Sequence, residues 1–376
     1  MPGAREVPYH PRAMRREVAR RIRAEVAELA ESGLDWDAFA SRANEKIRRA
    51  IPFDRACWHP VDPGTVLFTG GWVENMTCSG AWLAHHEYVV EDVNKWAFLA
   101  RSGYRAGSLS QATHGNLSLS ARYRSAQGML GDELRGSFVV EGTYWGAAGF
   151  LRDPGRPWFG DEEVRLLASL SGPLAEGFRR AFLGTLATAH DADDALGLIV
   201  LDERGEVESV SPVAERWIAE LVEEPAASVG DSRVIQAIAA RVRQGSSLEV
   251  PELPARARAF TRSGRWLLLH GTRLSGGGPG RTAVIIQPAP SDEIASLIVH
   301  AYGLSERERQ VTELCAQGLS TKEIATTLHI SAYTVQDHLK AIFEKTGARS
   351  RAELVGKIFL DHYAPRFREI VRESTV

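Results

Sequence analysis

The chain has few cysteines, few lysines and no long apolar run. Its 376 residues contain three widely separated cysteines, Cys57, Cys78 and Cys315, and no Cys-x-x-C pair. This spacing argues against a disulfide framework and fits a reducing compartment. No apolar segment approaches the roughly 20 residues that cross a bilayer, and the amino-terminal segment lacks the apolar stretch of a signal peptide. We therefore expect a cytoplasmic protein without a membrane partner.

An excess of charge of either sign is also missing. The 45 Lys and Arg residues nearly balance the 48 Asp and Glu residues, so the formal net charge is only −3 and the composition does not indicate a protein that coats polyanions. No Ser/His/Asp or Cys/His arrangement can be assembled from spacing, so we expect neither catalytic residues nor a cofactor. His85 and His86 are adjacent and cannot both face one ion from a helix or strand, so no metal site is expected.

The segment from 304 to 355 carries three copies of the helix-start pattern Ser-x-x-Glu. In this capping box the Ser side chain accepts a hydrogen bond from an amide of the first turn, and the Glu side chain accepts one from the amide of the cap residue. The three copies are Ser305 with Glu308, Ser320 with Glu323, and Ser350 with Glu353. Together with a fourth start at Ser331 and glycine stops at Gly318 and Gly347, they predict four helices. The expected helices are Glu306 to Gln317, Thr321 to Leu328, Ala332 to Thr346, and Arg351 to Leu360.

The connection between the second and third predicted helices is very short. Only His329 and Ile330 intervene before the Ser331 cap, which leaves room for a sharp corner and nothing more. A sharp corner between two short helices is a helix-turn-helix. Apolar residues recur at helical spacing through both helices and can close one small core. They are Ile324, Leu328, Ile330, Val335, Leu339 and Ile342.

Four motifs in this segment resemble those of one family of DNA-binding domains. They are L-S-x-R-E-x-x-V, G-L-S-x-K-E-I-A, I-S-x-x-T-V-x-x-H and K-x-G-x-x-S-R, all in register over some fifty residues between 304 and 351. The segment is similar to the output domain of LuxR/NarL-type transcription factors. The resemblance implies an all-α, four-helix DNA-binding domain over residues 304–362, whose third helix enters the major groove of double-stranded DNA.

The third helix and the basic residues around it supply the candidate DNA contacts. Ser331 and Thr334 are expected to bind phosphate oxygens at the helix amino end. Basic side chains that we expect to contact phosphates without reading sequence are Lys322, Lys340, Lys345, Arg349 and Arg351. Val335 is expected to be partly buried and to offer one edge to a thymine methyl group, and three further side chains are expected to reach base edges. These three are Gln336, Asp337 and His338.

The sequence departs from the family pattern at two of these positions. Many family members carry Lys or Arg where this chain has Gln336, and an uncharged or basic residue where it has Asp337. A carboxylate facing phosphates is repelled, so Asp337 either accepts a hydrogen bond from a cytosine amino group or makes a local contact within the domain. The sequence therefore does not determine which bases this helix recognises.

The fourth helix carries more apolar surface than a three-helix core can cover. The residues concerned are Leu354, Val355, Ile358 and Phe359. In the family this helix makes the dimer contact, so the resemblance implies a homodimer that reads paired half-sites.

The first part of the chain predicts helices and then an antiparallel sheet. Helices are expected at Arg12 to Leu29 and Asp35 to Ala50. Further on, strands at Leu134 to Val140 and Thr143 to Leu151 flank a Glu141-Gly142 turn, and a helix starts at Asp161. This arrangement resembles a GAF sensory domain over residues 12–183, with an α/β fold.

A second α/β unit follows, over residues 192–289. A strand, a turn at Asp202 to Gly205, another strand and a helix containing Trp217 precede three strands with tight turns. This order resembles a PAS domain. Residues 290–303 then form a linker with a signalling helix. The expected whole is a multidomain protein with two sensory domains and one helix-turn-helix domain.

Seven of the nine tryptophans lie in the first 160 residues. Aromatic residues most often build a core, but an aromatic cavity with a few polar groups also suits a small-molecule effector. The candidates for such a pocket are Trp58, Trp72, Trp82 and Trp96. The sequence thus indicates a dimeric transcriptional regulator controlled by a small-molecule or protein signal. The alternatives are a protein-interaction module that does not bind DNA and, more remotely, an enzyme with a regulatory tail.

Overall fold

The computed structural model describes residues 16–76, 79–185, 195–221, 229–244, 254–274, 280–290, 293–294, 297 and 300–357. The first unit begins with helices α1 (Arg16–Ala30) and α2 (Trp36–Arg48), and the Asp35 side chain caps α2 by accepting from the Ala38 amide. Its strands are β1 (Arg55–Asp62), β2 (Leu67–Phe68), β3 (Trp72–Glu74), β4 (Ala106–Ser108), β5 (Asp132–Val140) and β6 (Thr143–Arg152). They form one antiparallel sheet in the order β2-β1-β6-β5-β4, with β3 also paired to β1.

Helical segments connect β3 to β5, and a long helix follows β6. The connecting segments are α3 (Gly80–Ala84), a π-helical turn (His85–Val89), α4 (Trp96–Arg101), α5 (Leu109–Ala112), a 3-10 turn (Leu117–Leu119) and α6 (Ala121–Ser125). The long helix is α7 (Asp161–Thr185). Every residue of β5 from Asp132 to Val139 is buried, so both faces of this sheet are covered. Helices α1, α2 and α7 cover one face, and the short helical segments cover the other.

The β5–β6 hairpin has the predicted Glu141-Gly142 turn. Both residues have positive φ angles, 50° and 78°, as the favoured two-residue hairpin turns with a right-handed strand twist require. The pairing then shifts, because Phe138 faces Gly146 whereas Val139 faces Tyr144. Trp145 is therefore an extra residue in β6, and the hairpin contains a β-bulge.

The second unit is a five-stranded antiparallel sheet with two helices. Its elements are β7 (Gly197–Leu201), β8 (Val207–Val210), α8 (Pro212–Glu220), α9 (Arg233–Gln244), β9 (Arg256–Phe260), β10 (Trp266–Arg273) and β11 (Thr282–Pro288), and the strand order is β8-β7-β11-β10-β9. The sequence did not predict α9. This helix is buried from Arg233 to Ala240 because it packs both on its own sheet and on α3 and the π-helical turn of the first unit.

A buried ion pair also joins the two units. The Arg258 side chain on β9 donates to both carboxylate oxygens of Asp62 on β1, at 2.8 and 2.7 Å, and both side chains are almost fully buried. The backbone amide of Arg258 donates to the same carboxylate. One apolar core accordingly runs from the first sheet through α9 into the second.

The four carboxy-terminal helices start where the capping pattern predicts. They are α10 (Glu306–Ala316), α11 (Thr321–Leu328), α12 (Ala332–Thr346) and α13 (Arg351–Val355). Complete capping boxes precede α10 and α11. The expected end of the last helix lies outside the described residues. Where the structure describes the chain, no helix is both long and apolar enough to cross a membrane.

Candidate nucleic-acid interface

The corner between α11 and α12 is formed by one left-handed residue. His329 has φ 54° and ψ 45°, and its amide and that of Ile330 bond back to carbonyls in the last turn of α11. This ends α11 in the manner of a left-handed C-cap and lets Ser331 start the next helix two residues later. The predicted helix-turn-helix is confirmed in its local geometry.

Helix α12 has one buried and one exposed stripe. Val335, Leu339 and Ile342 face the core shared with α10 and α11. Four residues at spacings of three and four lie exposed on the opposite side, beginning at the first turn, and we call them the recognition face. They are Tyr333, Gln336, Asp337 and Lys340.

The first turn of α12 keeps a hydroxyl available for an acceptor. Ser331 Oγ accepts from the Thr334 amide at 3.0 Å and lies 2.8 Å from Thr334 Oγ1. One hydroxyl proton is used between the two side chains, which leaves the second for an external acceptor such as a phosphate oxygen. The exposed amino end of α12 adds the favourable partial charge of a helix N-terminus.

The five predicted basic contacts fall into two groups. Lys322, Lys340 and Arg349 lie exposed. Lys345 is exposed as well, but it donates to the Glu308 carboxylate at 2.8 Å and to the Gly303 carbonyl at 3.0 Å. Arg351 donates to the Leu319 carbonyl and to Thr321 Oγ1. The last two side chains thus hold helices together, and a phosphate contact would compete with these bonds.

Two sequence-based assignments are corrected by burial. Val335 has 0% of its surface exposed, so it presents no edge to a thymine methyl group and is a core residue. Leu354 is equally buried in the core of the four-helix domain and cannot also form a dimer surface. Val355 is half-buried, and Ile358 and Phe359 lie outside the described residues. His338 is half-buried, at the margin of the recognition face.

Sequence reasoning missed Tyr333, which is 74% exposed. It was missed because an aromatic residue two positions after the Ser331 cap is more readily assigned to the core than to an exposed face. The spacing was nevertheless informative, because Tyr333 lies three positions before Gln336 and seven before Lys340, on the same stripe. A groove of about 470 Å³ opens beside this stripe, between Thr321 at the start of α11 and Phe343 on α12.

The four tryptophans proposed for an effector pocket do not share one cavity. Trp58 and Trp72 pack with the core under α7, where the Trp58 indole donates to Asn44. Trp82 and Trp96 pack in the core on the opposite face of the sheet. A single pocket lined by all four is therefore not formed, because the paired strand residues Trp58 and Trp72 lie on the face under α7, whereas Trp82 on α3 and Trp96 on α4 belong to the helical segments over the other face.

Comparisons with known proteins agree with this local geometry. The family model described as bacterial regulatory proteins, luxR family, matches residues 303–357. The spore germination protein GerE of Bacillus subtilis is 44% identical over 52 residues, which are 14% of this chain and 70% of that protein. The transcriptional regulatory protein UhpA of Escherichia coli strain K12 is 45% identical over 56 residues, which are 15% of this chain and only 29% of UhpA.

A solved structure aligns over a longer stretch but with little similarity. The crystal structure of Escherichia coli SdiA covers 91% of this chain and 95% of its own, with 11% identity and a TM-score of 0.29. A score this low supports no argument about the fold of the first 300 residues.

Proposed function

The chain belongs to the LuxR family of bacterial regulatory proteins, and from that premise we propose that it is a transcriptional regulator that binds specific double-stranded DNA. The observation that carries the proposal is the recognition face. Its side chains project from a helix whose other side is fixed by Val335, Leu339 and Ile342 in the core. A rigid helix with a polar, exposed amino-terminal half is what major-groove insertion needs.

Each exposed side chain suits a different kind of DNA contact. The Gln336 amide can bond adenine N6 and N7 together, and the Asp337 carboxylate can accept from cytosine N4. Lys322, Lys340 and Arg349 suit phosphates, which fix the position of the protein without reading sequence. The Tyr333 hydroxyl is a further phosphate donor at the rim of the helix.

The active form in this proposal is a homodimer with two-fold symmetry. Two copies would place two recognition helices on half-sites about one DNA turn apart. In the part of α13 that the structure describes, Val355 is the half-buried apolar residue that supports this contact.

The first 290 residues are proposed to receive the signal, as a GAF-like and a PAS-like domain. Two antiparallel sheets, each with helices packed against it and with their cores joined through α9, support this proposal. Their signal would be a small molecule or a protein that favours one arrangement of the dimer over another. The compartment proposed is the cytoplasm.

A binding measurement with two variants tests the DNA-binding proposal. A duplex selected from random DNA by the full-length chain is titrated by fluorescence anisotropy at several salt concentrations. Lys340→Ala should weaken binding to every duplex and reduce the slope of log K against log salt by about 0.9. Gln336→Ala should cost about 1–3 kcal/mol on the selected duplex alone.

The matched control is Arg20→Ala, which removes an exposed cation from α1. It should leave both affinity and salt slope unchanged. Unaltered binding by the Lys340 and Gln336 variants would refute the assigned recognition helix. Absence of any selected duplex would favour the protein-interaction module instead.

A further inference from the structure

A very short segment joins the core of the first unit to the core of the DNA-binding domain, and we call residues 301–303 the neck. Ala301 has 0% of its surface exposed and belongs to the core beneath α7. Leu304, three positions later, is 3% exposed and belongs to the core of the four-helix domain. Three residues of extended chain span at most about 11 Å, so the DNA-binding domain begins directly beside the first unit.

Helix α7 holds the beginning of the neck through one arginine. The Arg179 Nη1 group donates to the Ala301 carbonyl at 2.6 Å, across 122 positions of the chain. The Nε and Nη2 groups of Arg179 donate to the two carboxylate oxygens of Glu176, at 2.8 and 2.7 Å. This two-point contact fixes the plane of the guanidinium group, so the donor that reaches Ala301 is held in one direction.

The turn between β5 and β6 contacts the end of the neck. The Glu141 carboxylate lies against Gly303, in the space that a Cβ atom at this position would occupy. Gly303 also has a φ angle of 63°, in the left-handed region that favours glycine. Glycine at this position therefore permits the backbone turn and also lets a side chain of the first unit approach the neck.

The recognition helix α12 bonds the same glycine. The Lys345 ammonium group, in the last turn of α12, donates to the Gly303 carbonyl at 3.0 Å and to the Glu308 carboxylate at 2.8 Å. The neck is thus bonded to the first unit at Ala301 and to the recognition helix at Gly303. Because the recognition face is exposed, these contacts restrain α12 without covering the side chains proposed to meet DNA.

We propose that the neck is a latch, in which Arg179 and Glu141 hold the DNA-binding domain in one orientation relative to the first unit. When the latch opens, the domain is free to rotate about the few residues that follow Ala301, as in a hinge motion. The closed latch fixes the direction of the recognition helix, and a change in the packing of α7 or of the hairpin opens it. The inference rests on the proposed regulatory function only where it concerns this signal.

The first test follows opening of the neck by amide hydrogen exchange in the full-length protein. The Gly303 amide donates to the His300 carbonyl at 3.1 Å, so its exchange rate, measured by NMR, reports the opening. Arg179→Met removes the donor to Ala301 and should speed this exchange about fivefold, which is the equivalent of one hydrogen bond of ~1 kcal/mol. The matched control is Arg165→Met on the same helix, where the side chain is 69% exposed, and it should leave the rate unchanged.

The second test is a double-mutant cycle for the contact between Glu141 and Gly303. Gly303→Ala introduces both a strained φ angle and an overlap with the Glu141 carboxylate, so it should lower the thermal stability. Glu141→Asn suits the left-handed turn and is one methylene shorter, so it removes the overlap and leaves the strain. Gly303→Ala should therefore be less destabilising in the Glu141→Asn protein than in the unaltered one.

The third test shows whether the latch joins the two bodies. Relaxation of ¹⁵N in the amides of α12 and of β5 should give one common rotational correlation time in the unaltered protein and in Arg165→Met. In the double variant Arg179→Met/Glu141→Asn the amides of α12 should have the shorter correlation time, because the released domain rotates on its own. A role of Arg179 and Glu141 confined to local stability would leave the two correlation times equal.

Any one of four results would overturn the inference. They are independent rotation of α12 in the unaltered protein, unchanged Gly303 exchange in a folded Arg179→Met variant, an equal cost of Gly303→Ala in both backgrounds, and equal correlation times in a folded double variant. The single variants decide the matter if the double variant does not fold. None of these measurements uses DNA, so failure of the latch and failure of DNA binding are distinguished.

Discussion

At the scale of single residues, hydrogen-bond partners separate the side chains that can meet DNA from those that hold the domain together. Tyr333, Gln336 and Lys340 are exposed, whereas Lys345 and Arg351 are engaged with carbonyl and side-chain oxygens of neighbouring segments. Lys345 also affects its partner. Burial opposes ionisation of Glu308, but the hydrogen bonds from Lys345 and Ser305 outweigh it and lower the pKa of that carboxyl group.

The first prediction concerns Leu354. Because this side chain is fully buried in the core of the DNA-binding domain, Leu354→Ala should destabilise that domain by about 2–5 kcal/mol. Hydrogen exchange of the core amides of α12 in the full-length protein measures the local loss. Val355→Ala, at a half-buried position, is the control and should cost less. Unchanged exchange together with dissociation of a dimer would show that Leu354 serves the dimer contact after all.

Some residue roles could be predicted from the sequence and others could not. Val335 lies four and seven positions before Leu339 and Ile342, so the spacing correctly predicts a core residue. Its exposed fraction of 0% shows that the edge expected for a thymine methyl group is absent. The engagement of Lys345 and Arg351 could not be foreseen, because their partners Gly303 and Leu319 are distant in sequence. A charged residue predicts an ionic or hydrogen-bonding contact, but the sequence does not show which of several possible partners the side chain bonds in the fold.

At the scale of elements, caps determine where the four carboxy-terminal helices begin. Ser305, Ser320, Ser331 and Ser350 each accept from an amide three residues on, as predicted. These signals are local in sequence, and so the starts of α10 to α13 could be predicted residue by residue.

The second prediction concerns the cap of α12. Ser331→Ala should destabilise the first turn by about 1 kcal/mol, because the Thr334 amide loses its acceptor. Ser331→Gly should destabilise the first turn by only a few tenths of a kcal/mol relative to the native protein. Exchange rates of the first-turn amides and DNA affinity would be measured for both. Unchanged exchange of the first-turn amides in Ser331→Ala would mean that the Ser331 hydroxyl does not hold the recognition helix in place.

The third prediction concerns a buried ion network between β5 and its covering segments. Arg122 and Arg135 both bond the Glu133 carboxylate, and Arg135 also contacts Glu87. Burial opposes ionisation, but the two guanidinium groups outweigh it and lower the pKa of Glu133 to about 2. Glu133→Gln removes the negative charge that both buried guanidinium groups bond. It should therefore destabilise the protein by about 3–5 kcal/mol at pH 7.

The pH dependence of this effect has a definite sign. The usual Glu pKa is 4.5, so the contribution of the Glu133 charge is complete above that pH and is lost as the pH falls towards 2. The stability difference between the unaltered protein and Glu133→Gln should therefore shrink below pH 4.5. Thermal unfolding from pH 7 to 3 measures it, with the exposed Glu45→Gln as control. A difference that stays constant with pH would contradict the ionised network.

At the scale of the whole molecule, contacts between the two amino-terminal units bury residues whose burial the sequence does not predict. Arg233 and Gln236 on α9 are polar yet buried, because two units enclose the helix. The Asp62–Arg258 pair spans 196 positions of the chain. Local patterns predict hairpins, caps and the helix-turn-helix, whereas burial between units depends on packing across long separations.

The central claim is that the recognition face enters the major groove. It is tested most directly by replacing adenines in a selected half-site with 7-deazaadenine, which removes the major-groove N7 acceptor and leaves the minor groove intact. The account predicts that full-length protein binds the substituted duplex more weakly by about 1–3 kcal/mol per lost contact, and that the same substitution outside the half-sites has no effect. Equal affinity for substituted and natural half-sites would contradict it.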